Sequence, residues 1–331
     1  MEFDGTTLVT GAAGFIGKYV VEHLVALGAR VRATDVPCTG TSYFDDMGVE
    51  FVEADLTKPE TLPGLFDGGV DRVFHLGAIC NFSTPYQKLY PINVLGVERI
   101  TMLALDAGVK RYVHVGSTSV YGPYRGTPFT EDAPRVPQDS YGRSKRDGED
   151  IVWRRIEEGL LAVITRPCTV YGPGCSDGAG KVFSRPTSIT AIPGNGRQLL
   201  SNVRAEDVAA AAVHLSHVDE AVGKAFNIAD DSHPTLEEAL TIAARTFGAK
   251  PPQLHLPVEI VKAFARVDAF VSRRRGRIPD LEYDAVRYLG ADYEVDNSRL
   301  KATGYELIYP DFEASMKQLG ERYRQNAPSQ Q

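Results

Sequence analysis

The sequence predicts an α/β chain, a doubly wound parallel sheet followed by a smaller and mostly helical C-terminal lobe. Three observations predict it. Short β-rich runs alternate with helical stretches from residue 7 to residue 165. A glycine turn separates the first run from the first helical stretch. After Pro167 a loop rich in Gly, Pro and Cys interrupts that texture. Alternation of this kind is what strands joined by crossover helices produce.

The predicted strands are 7–10, 30–34, 50–53, 72–76, 112–115 and 162–165. They are short, Val/Ile/Phe-rich and nearly all apolar, which suits strands covered on both faces. Helices are predicted over 16–27, 94–107 and 144–158. Residues 172–180 read as loop, 203–217 as a helix with a long alanine run, and 225–229 as one more strand. From 235 onward come two or three helices, a loop rich in Tyr and Asp, and a last helix over 311–324, with a frayed polar end at 325–331. The expected division is a nucleotide-binding unit over 1–170, with 203–229 returning to it, and a mainly substrate-binding lobe over 171–331.

Composition narrows the function classes. Of 331 residues, 43% are hydrophobic and 24% charged, ordinary values for a globular protein. The net charge of −7 argues against nucleic acid as a partner, because phosphate binding needs a basic face. No Cys/His cluster has metal-ligand spacing. Cys38, Cys80, Cys168 and Cys175 form no C-x-x-C pair and read as reduced thiols of a cytoplasmic protein. No signal peptide is evident, and no apolar run approaches the ~20 residues that span a bilayer.

The turn Thr10-Gly11-Ala12-Ala13-Gly14-Phe15-Ile16-Gly17 follows the first strand. Gly11 permits the tight turn, Gly14 lets a diphosphate approach the main chain, and Gly17 lets helix and strand pack closely, the Rossmann-type arrangement. The helix that opens at Phe15 and Ile16 offers free N–H groups and a partial positive charge to the anion. Asp35 ends the second strand, 18 residues past Gly17. A carboxylate there accepts from ribose hydroxyls and repels a 2′-phosphate, which favours NAD over NADP. The plainer reading of Asp35 is a loop-starting aspartate. Asp55-Leu56 after the third strand either brackets the adenine ring or caps the helical turn at 58–62.

Tyr141 and Lys145 are four apart, on one helix face. A phenol with a pKa near ~10 is a poor base at neutral pH, and a neighbouring ammonium lowers that value. The pair can thus make a proton donor and acceptor, although the same spacing also occurs on solvated helices. Gly116-Ser117-Thr118-Ser119-Val120-Tyr121-Gly122 follows the fifth strand, where an open parallel sheet binds ligands. Ser117 is placed to hydrogen-bond a substrate oxygen, with Thr118 beside it; turn-forming hydroxyls are the simpler alternative.

With these residues the chain resembles the extended short-chain dehydrogenase/reductase family. That group holds sugar-nucleotide epimerases, dehydratases and 3β-hydroxysteroid dehydrogenases. The resemblance rests, in order, on Thr10 to Gly17, Asp35, Asp55-Leu56, His75-Leu76-Gly77-Ala78, Asn93-Val94-Leu95-Gly96, Ser117 to Gly122, Tyr141 to Lys145, Arg166-Pro167 and Val170-Tyr171-Gly172-Pro173-Gly174. It implies that Ser117 polarises the substrate oxygen, Tyr141 passes the proton, and Lys145 holds the nicotinamide ribose and lowers the tyrosine pKa. Leu76, Gly77, Ala78 and Asn93 would line the cofactor cleft, with Pro167 and Thr169 at the nicotinamide end. Cys80, Thr118, Thr169 and Leu200 would join Ser117 at the substrate. It also implies a homodimer through the helices at 94–107 and 144–158.

Departures from the sugar-nucleotide members point to the substrate. Thr169 stands where they carry Asn, and Leu200 where an arginine clamps the diphosphate. Losing a guanidinium removes a charge-assisted grip on phosphate, unless Arg197 or Arg204 replaces it. Thr118-Ser119 stand where dehydratases carry Asp-Glu, which counts against water elimination. The expected function is therefore NAD-dependent interconversion of alcohol and ketone on an uncharged, hydrophobic substrate. In the hydroxysteroid branch this includes sterols whose 4-carboxyl becomes a β-keto acid and leaves as carbon dioxide. The alternatives are a nucleotide-sugar epimerase and a non-catalytic NAD-binding regulator.

The segment 257–279 places Val258, Val261, Phe264, Ala265 and Val267 on a helix ahead of Arg273-Arg274-Arg275-Gly276-Arg277. The simpler reading is a packed helix with cations at its C-terminus, where the dipole favours them. The other is a lid or membrane-surface helix.

Overall fold

The computed structural model describes residues 3–37, 41–123, 128–176, 178–184, 191–275, 288 and 292–326. Cys38, Gly276, Arg277, most of the Tyr- and Asp-rich loop and the end of the polar tail lie outside them. The first half runs β1 (Thr6–Thr10), α1 (Phe15–Ala26), β2 (Arg30–Asp35), β3 (Glu50–Glu53), β4 (Val70–His75), α2 (Leu95–Asp106) and β5 (Arg111–Val115). Then come α3 (Ser140–Glu157), β6 (Ala162–Pro167), β7 (Thr169–Tyr171), β8 (Ala191–Pro193), β9 (Asn202–Arg204) and α4 (Ala205–Leu215). The chain closes with β10 (Ala225–Ile228), α5 (Leu236–Thr246), β11 (Leu254–Leu256), α6 (Val258–Arg274) and α7 (Phe312–Asn326).

Seven strands form one sheet in the order β10-β6-β5-β4-β1-β2-β3, all parallel. Alternate residues serve its two faces. Leu8, Val73, Tyr112 and Ile164 pack under α2 and α3 with Val97, Ile100, Ile151 and Val152. Val9, Val31, Phe74 and Val113 pack under α1 and α4 with Val20, Leu24, Ala209 and Val213. Helices cover both faces, which is why the central strands are rich in apolar residues. Strand order reverses between β1 and β4, and this opens a crevice at their carboxyl ends.

Two boundaries differ from expectation. The residues read as a helix from 203 begin as strand β9, because Asn202 pairs with Thr169 of β7. Tertiary pairing outweighs local propensity there. Helix α3 begins at Ser140, not 144, because the Asp139 carboxylate accepts from Gly142 N at 2.7 Å and caps it. Tyr141 therefore sits in the first turn, held close to the sheet edge.

The small lobe packs α5 and α7 around Tyr171, Phe183, Ile192 and Phe312. Helix α6 lies against it by a narrow edge only: Val261 and Ala265 are buried, whereas Phe264 and Val267 are exposed. The packed apolar face expected of this helix is thus split in two.

Candidate active site

The crevice is built first from backbone. Gly11 has a φ of +69°, and a Cβ on it would meet Gly77 N at 2.7 Å. A Cβ at Gly17 would stand 2.1 Å from Gly11 O, so only glycine lets α1 sit this close to the turn. Helix α1 starts with no side-chain cap, which leaves its first N–H groups for an anion. Gly14 is exposed, and Phe15 and Ile16 are half-buried beside it. Gly17→Ala is expected to cost about 1–3 kcal/mol by overpacking, read in urea denaturation, and to weaken NAD binding.

Asp35 closes the adenosine side. Its Oδ2 accepts from Ala13 N at 3.0 Å and its Oδ1 from Val36 N at 2.9 Å. The carboxylate is thereby fixed at the glycine turn. Asp55 accepts from Thr57 N and Oγ1 at 2.8 and 2.7 Å, and these bonds hold it below the usual carboxylate range. It closes a local turn, and Leu56 beside it reaches across Gly77 and Gly96, where a Cβ would come within 2.8 and 3.1 Å. Leu76 is half-buried, while Ala78 and Cys80 are exposed on the same rim.

Asn93 corrects an expectation. It is buried, accepts from Ile79 N at 2.8 Å, and donates to Ile79 O at 3.0 Å and Ser144 Oγ at 2.9 Å. Its amide is spent on fastening the rim to α3, so it is a latch rather than a cofactor contact. His75, of the motif His75-Leu76-Gly77-Ala78, is also structural. It shares a hydrogen with Thr10 Oγ1 at 2.8 Å, and burial, then the Lys145 charge, push its pKa down to about 3.

Ser117, Tyr141 and Lys145 meet at the ends of β5 and α3. Ser117 is half-buried and its Oγ accepts from Ser119 N at 3.1 Å and from Ser119 Oγ at 2.8 Å. The Tyr141 phenol hydrogen-bonds with Ser117 and Cys80. Lys145 donates to Val115 O at 2.8 Å. Burial pushes its pKa down to about 8, against the opposing pull of Cys80 and Glu149. Burial, then Cys80, push the Tyr141 phenol well above its usual range, and Ser117 offsets part of this. The expected lowering by Lys145 is therefore corrected. The ammonium is engaged by a carbonyl, and desolvation wins at the phenol. Burial thus favours the protonated phenol.

Four ring contacts run away from Tyr141. Phe82 lies 5.0 Å from it, Tyr288 lies 5.7 Å from Phe82, Tyr293 5.6 Å from Tyr288, and Phe129 5.3 Å from Tyr293. Tyr288 also donates to Asp139, the cap of α3. Sequence reasoning missed Phe82, Tyr288 and Tyr293; the Tyr-rich loop was visible, but nothing in it pointed to α3. Thr118 is buried, donates to Pro167 O at 3.3 Å and is hydrogen-bonded with Tyr293. It anchors the Pro167 end of β6 rather than facing a substrate. Thr169 is half-buried on β7.

The profile of the NAD dependent epimerase/dehydratase family matches residues 7–229. The chain belongs to this family. Its members are NAD-dependent enzymes, and NAD is the cofactor that the glycine turn and Asp35 fit. Sterol demethylase protein B of Methylococcus capsulatus is 28% identical over 304 residues, covering 89% of this chain and 91% of that one. A UDP-glucose 4-epimerase of Mycolicibacterium smegmatis is 31% identical, covering 76% and 86%. The 3β-hydroxysteroid-dehydrogenase/decarboxylase isoform 2 of Arabidopsis thaliana is 26% identical over 92% of this chain, which spans 59% of the plant protein's length.

Leu200 is half-buried; it borders the small lobe's core and is bridged to Tyr293. Arg204 cannot stand in for a diphosphate-clamping arginine. It is fully buried, its guanidinium donates to Glu206 at 3.1 and 2.6 Å, and it lies 4.3 Å from the Tyr309 ring. Arg197 alone of the two is exposed. On the cofactor side, Asp35→Ala is expected to raise the NAD dissociation constant about 10- to 100-fold, the loss of a hydrogen bond to a charged group of about 1.5–3 kcal/mol. Titration of NAD and NADP side by side checks this, and the preference between them should narrow.

Proposed function

We propose that the chain is an NAD-dependent oxidoreductase that interconverts a secondary alcohol and a ketone on an uncharged, hydrophobic substrate. The observation that carries the reading is the aromatic row Phe82–Tyr288–Tyr293, which begins 5.0 Å from Tyr141. A row of rings offers a ketone-bearing apolar body a large area to bury. The buried, Glu206-paired Arg204 and the apolar side chain of Leu200 support the same reading, since neither offers a phosphate a free cation.

Gly11, Gly14, Phe15, Ile16 and Gly17 would hold the cofactor's diphosphate, Asp35 its adenosine ribose, and Asp55 and Leu56 its adenine. Leu76, Gly77, Ala78, Pro167 and Thr169 would line the path to the nicotinamide. NAD supplies or accepts the hydride. Ser117 orients the substrate oxygen, Tyr141 gives it a proton in the reducing direction, and Lys145 holds the ribose beside Val115. Cys80, hydrogen-bonded to Tyr141, borders the substrate. The sterol relatives support a 3β-hydroxysteroid or sterol substrate, with loss of a neighbouring carboxyl as carbon dioxide where one is present. A homodimer through α2 and α3 would leave this crevice open on each copy.

The test is a panel of sterols, aromatic alcohols and sugar nucleotides with NAD and NADP, followed at the reduced-nicotinamide absorbance. Turnover of apolar alcohols with NAD is the expected result. Conversion of a UDP-sugar to its epimer, with no net absorbance change, would overturn the reading in favour of the epimerase that the 31% identical relative represents.

A further inference from the structure

Helix α6 carries an apolar stripe that is solvent-exposed among the described residues. Ile260 (43% exposed), Phe264 (62%), Val267 (60%) and Phe270 (57%) recur at intervals of three and four, which places them on one side of the helix. The buried edge, Val261 and Ala265, faces away from them. Exposed large apolar residues are ordinary when scattered, but a continuous stripe marks an interaction surface.

Charge says what kind. From 258 to 275 the chain has five cations, Lys262, Arg266, Arg273, Arg274 and Arg275, against two carboxylates, Glu259 and Asp268. The protein as a whole carries −7. The carboxylates are already engaged. Glu259 accepts from Lys262 at 2.7 Å, and Asp268 accepts from Ser272 at 3.1 Å. Arg266, Arg274 and Arg275 are exposed, and the Arg274 guanidinium lies 4.5 Å from the Phe270 ring, at the edge of the stripe. Arg277 extends the basic run. An apolar stripe bordered by arginines suits the boundary between acyl chains and anionic headgroups. A second copy of the chain would bring two net-cationic helices face to face, which is electrostatically unfavourable. No helix among the described residues is long and apolar enough to cross a membrane, so the contact would be at the surface.

We infer that α6 docks the protein on an anionic phospholipid surface, with Ile260, Phe264, Val267 and Phe270 in the acyl boundary and Arg266, Arg274 and Arg275 at the headgroups. This does not rest on the substrate class proposed above.

The full-length protein is floated with extruded vesicles of phosphatidylcholine, with or without phosphatidylglycerol. The expected result is flotation with phosphatidylglycerol at low salt, weakened at high salt as screening shortens the reach of the arginines. F264D/F270D should stay at the bottom of the gradient, and R274E/R275E should lose the dependence on phosphatidylglycerol. All four positions are solvent-exposed, and an unchanged thermal midpoint shows that the variants are folded. A wild-type protein that does not float at low salt overturns the proposal, as does an F264D/F270D protein that floats like wild type. A wild-type protein that does not float and elutes larger than F264D/F270D would overturn it by reassigning the stripe to a contact between copies.

Discussion

Tyr141→Phe should lower turnover about 10²–10⁴-fold, the usual worth of a positioned proton donor, while NAD affinity stays near that of the unaltered protein. The phenol's hydroxyl is the only atom removed, and the ring keeps its place 5.0 Å from Phe82. Cofactor fluorescence titration beside steady-state kinetics separates the two effects; full activity in the variant would remove Tyr141 from the mechanism. The pH dependence follows from the same geometry. Burial holds the phenol proton on, so ketone reduction should be flat through neutral pH, and alcohol oxidation should rise as pH climbs toward the raised phenol pKa. Lys145 runs the other way. With its pKa pushed down to about 8, its ammonium is present below that value and lost above it. Apparent affinity for NAD should therefore weaken above about pH 8, and Lys145→Met should abolish that step along with most of the binding.

Glu149→Ala should destabilise the fold by about 3–5 kcal/mol, the cost of stranding a buried ion's partner. Glu149 is fully buried and receives Arg166 Nε at 3.0 Å and Nη2 at 2.5 Å. Arg166 is itself 2% exposed and donates onward to Tyr121 Oη at 2.8 Å and Glu131 O at 2.9 Å. Removing the carboxylate leaves the guanidinium without its counter-charge in a dry interior. The pair joins α3 to the residue before Pro167, so the site should loosen with the fold. Urea denaturation measures the loss. Glu149→Leu combined with Arg166→Met should lose less than either single change, because no unpaired charge remains. Additive losses would show that the pair is not coupled.

How far the sequence revealed this molecule depended on where its signals were local. All seven sheet strands were legible because burial on both faces makes them rich in apolar residues, as Leu8-Val9 and Val113 illustrate. The glycine turn and Asp35 were legible because backbone constraints are written in single residues. The three-residue strands β7, β8, β9 and β11 were not, since so short a run has no periodicity and forms only by pairing at long range. The start of α3 was hidden by Gly142, which reads as a breaker until Asp139 is seen to cap it. Tyr288 and Tyr293 are far in sequence from Tyr141, and no pattern in the chain links them. The protonation of Tyr141 was misjudged for a related reason. Its neighbours in sequence suggest an ammonium, whereas its neighbours in space are Cys80, Ser117 and apolar rings.

Asn227 has a bearing on how proteins of this shape can change. On β10, its side chain donates to Phe129 O at 2.9 Å and Asp296 O at 3.1 Å, and accepts from Tyr121 Oη at 2.6 Å. One amide thus knots the last sheet strand to the loop beyond the serine turn and to the chain near its end. A fragment stopped at residue 229, where the family match ends, would have a buried amide with a missing acceptor and an open seam beside it. The two halves are not exchangeable parts. Trading one lobe for another would have to rebuild this seam, whereas replacing single side chains in place would leave it intact.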